Sequence, residues 1–401
     1  MIHNLANLSL IQKRLFFNYL LVGIFVFKYN PKLLGISREL EKATMNILFV
    51  NSMNHWAGIK TWMAHLGFFL HQRNHQVSFI CREGDALKDF CQKNSIPVNC
   101  LHFGADYNPI AVHKFIRLMR SEKTDLVVTN VSKDIRTAGM AARILGITHV
   151  NRLGLASDLK NSVRQRWEYQ YWVDQVLVPS MSLLTSFQQR PELKGKVRNF
   201  QNVVKRVTEK PAKNEISQLA IVAKLSRRKQ VHLVLEALSR MTELPWHLHI
   251  GGVGPEELPL RDLAVHLGLE DRITFWGFVE PYSFLENKDI GILYSTDEGM
   301  PNAVLEYMAS GCAVVASDLQ SIREILRHNH NGLLVSYSDI RDLEAGLRRV
   351  IKQEDLRHRL GTAAIQHVKQ NHNLESVFQE IEEYFESLVI ENAHQYQLNL
   401  A

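Results

Sequence analysis

The chain has 401 residues, 46% apolar and 22% charged, the composition of a globular protein long enough for two domains of ordinary size. Its net charge of +6 hides an asymmetry. Residues 1–206 carry 28 Lys+Arg against 13 Asp+Glu, or +15, and residues 207–401 carry 19 against 28, or −9. A basic front half calls for an anionic partner. Scattered basic residues and the lack of a nucleic-acid motif favour lipid headgroups or a phosphorylated acceptor over nucleic acid. Cys81, Cys91, Cys100 and Cys312 form no C-x-x-C and neighbour no His at zinc spacing, so reduced thiols in a cytosolic protein are the simplest reading. No Asp-x-Asp occurs, so a phosphate ligand would be met by Lys, Arg and backbone N–H groups.

Residues 1–44 stand apart. Leu15 to Phe27 is apolar except for Asn18, with Lys13 and Arg14 before it and Lys28 after. Thirteen residues are too few to span a bilayer, and no small-residue cleavage site follows. Two readings fit: an interfacial anchor with a basic flank, or a leader ahead of a start at Met45. From Met45 strands alternate with helices. The pattern predicts strands at Ile47–Val50, Gln76–Cys81, Val98–His102, Leu126–Thr129, His149–Asn151 and Gln175–Val178. It predicts helices near Ile59–Arg73, Pro109–Ser121, Ile135–Leu145 and Ser182–Gln189. Such alternation argues for a doubly wound parallel sheet, with ligands at the strands' carboxyl ends.

The stretch Val203–Pro211 breaks the pattern with charge and proline, and reads as a linker. The alternation then restarts. A strand at Leu219–Lys224 precedes Ser226-Arg227-Arg228-Lys229 and a helix at Val231–Met241. A strand at His247–Ile250 precedes Gly251-Gly252-Val253-Gly254-Pro255 and a helix at Glu257–Leu267. Strands follow at Ile273–Trp276, Ile290–Tyr294, Ala313–Ala316 and about 332–335, and the chain is helical from Leu343 to about Leu388. Gly252-x-Gly254-Pro255 lacks the third glycine of a dinucleotide fingerprint, so it reads as a tight turn.

The second half is organised around Asp297 to Gly311. Pro301 suits a helix start and Gly311 a helix end at positive φ. Glu298, Gly299 and Met300 then lie in the turn feeding the helix, whose unpaired N–H groups make a seat for phosphate. Gly299 leaves room for a ligand to approach the backbone. Glu298 and Glu306 are two carboxylates beside that seat, suited to sugar hydroxyls. Lys224 ends a strand and Lys229 follows five residues on, two cations able to neutralise a diphosphate.

Together these residues resemble glycosyltransferase family 4. The G-R-L-x(3)-K-G opening of that family's second domain corresponds to Ala223-Lys224-Leu225-Ser226-Arg227-Arg228-Lys229-Gln230, with Lys224 replacing the Arg and losing its bidentate fork. G-x-G-P matches Gly252–Pro255, and F-x-G-x-V matches Phe275-Trp276-Gly277-Phe278-Val279 with its glycine one place early. Glu-x7-Glu runs from Glu298 to Glu306 with E-G-x-P-N intact, and N-G-L-L-V matches Asn331–Val335. In the first half the paired glycines become Ala57-Gly58, G-H-x-V becomes Asn74-His75-Gln76-Val77, and the N-G-V linker motif becomes Asn202-Val203-Val204.

The resemblance covers Met45 to about Asn373 and implies an α/β fold of GT-B type: two Rossmann-like doubly wound parallel-sheet domains facing a central cleft. It implies an acceptor-binding domain at 45–205, a nucleotide-sugar domain at 206–373, and a C-terminal helix at 374–401 packing back on the first domain. It implies a retaining transferase that takes a sugar from a nucleotide diphosphate, with UDP the expected nucleotide, to a polysaccharide or lipopolysaccharide acceptor at the cytoplasmic membrane face. No metal or other cofactor is implied, and no nucleic-acid partner. Carried over residue by residue, Lys224 and Lys229 would hold the diphosphate, Glu298 the donor-sugar hydroxyls and Glu306 the ribose. Gly58, Gly254, Phe278 and the Gly299, Met300, Pro301, Asn302 run would complete the donor site. Lys133, Asp134, Arg136, Asn151 and Arg152 stand where the first domain should face the acceptor. An epimerase of the same fold and a non-catalytic nucleotide-sugar-binding partner in an assembly complex share these features.

Overall fold

The computed structural model describes residues 44–54, 56, 58–208 and 214–398. The anchor-or-leader segment 1–43, Ala57 and part of the expected linker lie outside the described residues. Helix–strand alternation builds two parallel sheets. The first runs β3-β2-β1-β4-β5-β6-β7, from β1 (Asn46–Val50), β2 (Gln76–Cys81), β3 (Val98–Cys100), β4 (Leu126–Thr129), β5 (Thr148–Arg152), β6 (Gln175–Val178) and β7 (Val197–Asn199). The second runs β10-β9-β8-β11-β12-β13, from β8 (Ser217–Val222), β9 (Trp246–Gly251), β10 (Ile273–Gly277), β11 (Ile290–Leu293), β12 (Ala313–Ser317) and β13 (Leu333–Val335). Continuous apolar runs such as Ile-Leu-Phe-Val in β1 are buried along their length, as strands covered on both faces must be.

The described chain divides into two compact units. One holds residues 44–152, Lys160–Val176 and 382–398; the other holds Leu153–Leu159 and Leu177–Ile381. The first unit contains α1 (Gly58–Gln72), α2 (Ala86–Lys93), α3 (Pro109–Ser121), α4 (Met140–Leu145) and α5 (Val163–Trp172). Its core joins Leu48, Val50 and Ile80 of the sheet to Phe115, Ile116 and Ala142 of the helices. The expected helix Ile135–Leu145 begins instead as a π-turn over Ile135–Gly139. A side chain on Gly139 would strike the His149 ring, 2.4 Å from the position of its Cβ. From Glu382 on, the last helix is held within this unit. Glu382 accepts from Arg73 Nε at 2.6 Å and pairs with His75 Nε2 at 2.9 Å, and Tyr384 donates to Gln175 at 2.8 Å.

The second unit contains α6 (Met181–Gln188), α7 (Val231–Ser239), α8 (Glu257–His266), α9 (Pro281–Leu285), α10 (Asn302–Ala309), α11 (Gln320–Arg323), α12 (Ile340–Lys352) and α13 (Glu354–Asn371). The expected single helical end is three helices, broken at Gln353 and again at His372 before α14 (Leu374–Leu398). α10 seats Val304, Leu305 and Met308 against a core that includes Val314, Ile322 and Val368. That apolar floor fixes where its first turn lies.

Candidate functional site

The strand β11 and helix α10 are joined by the loop from Tyr294 to Pro301. Pro301 is the N-cap, at φ −74° and ψ 117°, and no side chain caps the helix. Gly311 lies just beyond the end at φ +71°, a conformation glycine adopts without a Cβ clash. Asn202 steadies the mouth, donating from Nδ2 to the Met300 carbonyl and to Asn302 Oδ1, both at 2.9 Å. Its own carbonyl pairs with His372 Nδ1 at 2.9 Å.

Glu298 is nearly buried here. Lys229 Nζ donates to its Oε1, and Arg228 Nη1 approaches its Oε2 at 3.4 Å. Arg228 also donates to the Asp297 carbonyl. Ser321 Oγ donates to the Glu298 carbonyl at 2.6 Å, and Ser295 Oγ donates to the Arg228 and Asp297 carbonyls at 3.2 and 3.3 Å. Burial holds the Lys229 ammonium below its usual range, against the pull of Glu298. Two cations, one carboxylate and an uncapped helix mouth therefore share one spot.

Lys224 sits differently from the expectation. β8 ends at Val222, so Lys224 lies two residues past the strand, exposed. It makes no side-chain bond with another described residue. Gly252 and Gly254 are required by close backbone packing: a Cβ at Gly252, where φ is +142°, would lie 1.8 Å from the Ala223 carbonyl, and one at Gly254 would lie 2.1 Å from the Leu225 carbonyl. They lock the two strand-end loops together. Gly299 is corrected in the same sense. A Cβ there would meet the Gly154 carbonyl at 1.7 Å and Leu183 at 3.2 Å, so protein backbone occupies the room left for a ligand. Phe278 follows the positive-φ Gly277 and is exposed.

Glu306 lies one turn into α10 without a side-chain partner among the described residues. Burial, with Glu280 nearby, pushes its carboxyl up to about 7, and Lys205 offsets part of this. The Tyr282 phenol beside it is likewise raised by burial and by Glu306.

In the first unit, Gly58 opens α1. The preceding loop is tied down by Asp134, whose carboxylate accepts from the amides of Ser52 at 3.0 Å and Val131 at 3.2 Å. Burial pushes this carboxyl up to about 6. Arg136 is not displayed to solvent: it is paired with Glu168 and Asp106, each at 2.7 Å. Lys133 donates to the Gly104 carbonyl. Asn151 is fully buried, its amide donating to Thr129 and the Asn130 carbonyl and accepting from Tyr169. Arg152 is buried 4.5 Å from the Trp62 ring centroid, and burial lowers its guanidinium to about 9. Neither of these last two side chains offers itself to a bulk acceptor.

Among the described residues, His75, Glu382 and Glu386 come close enough together to hold a metal ion. His75 Nδ1 accepts the Met45 amide at 3.1 Å, so in the neutral ring Nε2 carries the proton shared with Glu382. That nitrogen is not a free ligand.

Sequence reasoning passed over Arg228, Ser321 and Asn202 as site residues. Arg228 could have been read from its place beside Lys229. Ser321 carries no sequence signal, because only the fold brings it to Glu298.

Residues 205–367 match the family model described as glycosyl transferases group 1. An uncharacterized glycosyltransferase of Haemophilus influenzae is 34% identical over 28% of this chain and 32% of its own length. The lipopolysaccharide core biosynthesis glycosyltransferase LpsE of Rhizobium meliloti is 30% identical over 33% of this chain and 39% of its own. The chain thus spans about a third of the length of the curated relatives it matches. A glycosyltransferase from Rickettsia africae superposes with a TM-score of 0.76 at 16% identity, covering 87% of this chain and 99% of that one. Anabaena HepE in complex with UDP and glucose superposes at 0.75 and 18%, covering 86% and 100%. The two parallel-sheet units are those of the GT-B fold.

Proposed function

From the match of residues 205–367 to the group 1 glycosyl transferases, we propose that the chain is a retaining, metal-independent glycosyltransferase. It moves a sugar from a UDP-sugar to a polysaccharide or lipopolysaccharide acceptor at the cytoplasmic membrane face. The observation that carries the reading is the set of Lys229, Arg228 and Glu298 at the uncapped mouth of α10. A donor diphosphate brings negative charge, and it gains more on the leaving oxygen as the glycosidic bond breaks. Fixed cations and helix N–H groups stabilise charge developing at that place. Lys224, exposed on the loop after β8, would add a third cation. As the phosphates engage Lys229 and Arg228, Glu298 is released to accept sugar hydroxyls, and Glu306 accepts those of the ribose. No protein nucleophile is assigned. HepE with UDP and glucose and the lipopolysaccharide and colanic acid transferases support the donor and acceptor classes.

The test is Glu298→Ala, assayed for transfer from radiolabelled UDP-sugars to a lipopolysaccharide or lipid-linked acceptor. Transfer should be lost with the fold intact by circular dichroism, and full activity would exclude the site. Donor incubated without acceptor should give only slow hydrolysis, whereas rapid release of an isomerised sugar would favour an epimerase.

A further inference from the structure

We propose that the outer face of α5 docks the first unit on an anionic lipid bilayer. Val163, Trp167 and Tyr171 recur at four-residue spacing, so they share one side of the helix. They are 83%, 37% and 47% exposed, while Gln165, Glu168, Tyr169 and Trp172 face inward. The stripe is braced: the Trp167 ring packs edge-on to Trp172 at 4.7 Å and lies 5.3 Å from Tyr171. Tyr107, 5.7 Å from Trp172, and Ile110, 67% exposed, extend the apolar area.

The charges around this stripe have one dominant sign. The exposed charged side chains of α5 are Arg164 and Arg166. Its acid, Glu168, is buried and taken up by Arg136 and the Tyr107 hydroxyl. The nearby exposed acid, Asp106, is bound by Arg136 at 2.7 Å and approached by Arg164 at 3.8 Å. Soluble surfaces rarely gather large apolar side chains without a partner. Trp and Tyr favour the water–hydrocarbon boundary, and neighbouring arginines favour anionic headgroups. This inference does not rest on the transferase reading, because its test involves no turnover.

The test is flotation of the full chain with phosphatidylcholine vesicles, with and without about 30% phosphatidylglycerol. The chain should float with the anionic vesicles and not with the neutral ones. Arg164→Gln with Arg166→Gln should weaken binding roughly 30-fold, since each cation at an anionic surface contributes about fivefold in partition. Trp167→Ser with Tyr171→Ser should also release the chain. Val163→Asp, a change at the most exposed of the three positions, should do so without touching the braced rings. Tyr337→Ser, an exposed aromatic of the second unit, should bind like wild type. Equal flotation of wild type and all α5 variants would overturn the proposal, as would no flotation of wild type. Loss of a concentration-dependent dimer in the α5 variants, without lipid binding by wild type, would assign the face to a second copy instead.

Discussion

If Glu306 takes the ribose as proposed, its raised carboxyl makes donor binding depend on pH. Its carboxyl, shifted from 4.5 to about 7 by burial first and Glu280 second, keeps a proton in the folded chain that the unfolded chain has lost. The stability this gives is complete below about 4.5 and is lost as pH rises through 7, at most about 3 kcal/mol for a half-buried group. A ribose needs the opposite state, because only the ionised carboxylate accepts two hydroxyl hydrogen bonds. The competent fraction is about 0.09 one unit below the pKa and about 0.91 one unit above, so affinity should rise about tenfold across that window. The assay is calorimetric titration with a UDP-sugar, whose doubly esterified diphosphate holds its charge throughout. Glu306→Gln should bind more weakly at alkaline pH and without the slope. The same variant, unliganded, should be more stable than wild type above pH about 8. A wild-type affinity flat in pH, or an unchanged slope in Glu306→Gln, would refute the reasoning.

Lys229→Met leaves the nearly buried Glu298 carboxylate with Arg228 alone, 3.4 Å away; denaturant unfolding should show a loss of about 3 kcal/mol, and a loss under about 1 kcal/mol would mean that the pair is not strongly desolvated. Gly254→Ala forces a methyl toward the Leu225 carbonyl; it should cost roughly 1–3 kcal/mol and weaken donor binding by moving the Lys224 loop, both readable in one thermal-shift titration. Exhaustive chelation should leave the transfer rate unchanged if, as proposed, side-chain cations meet the diphosphate; a rate restored only by added divalent metal would contradict the proposal.

How far the sequence carries this chain differs by level. Twelve of the thirteen strands among the described residues were legible, because burial on both faces leaves unbroken apolar runs, as at Ile47–Val50 and Ala313–Ala316; the short, half-exposed β7 (Val197–Asn199) was not. α5 was not: Val-Arg-Gln-Arg-Trp-Glu-Tyr-Gln-Tyr-Trp puts apolar side chains on opposite sides of the helix, so no single stripe marks it. Within the site, the glycines at 254 and 299 marked places where a Cβ cannot fit, but not what fills the space. In both cases it is a backbone carbonyl, which makes these residues determinants of loop placement first. Arg136 and Asn151 carry the polar groups of a surface yet are buried, because Glu168 and Tyr169 on the unread helix α5 satisfy them. The pairing that matters most joins Lys229 to Glu298, 69 residues apart. Local pattern supplied each charge separately. Their meeting depends on β8 and β11 being neighbours in the second sheet, with the loops after those strands converging where Arg228 donates to the Asp297 carbonyl and Thr296 to that of Arg228. The site is thus a consequence of strand order, and a variant that loosens the β8–β11 seam should lose donor affinity even with every named side chain in place.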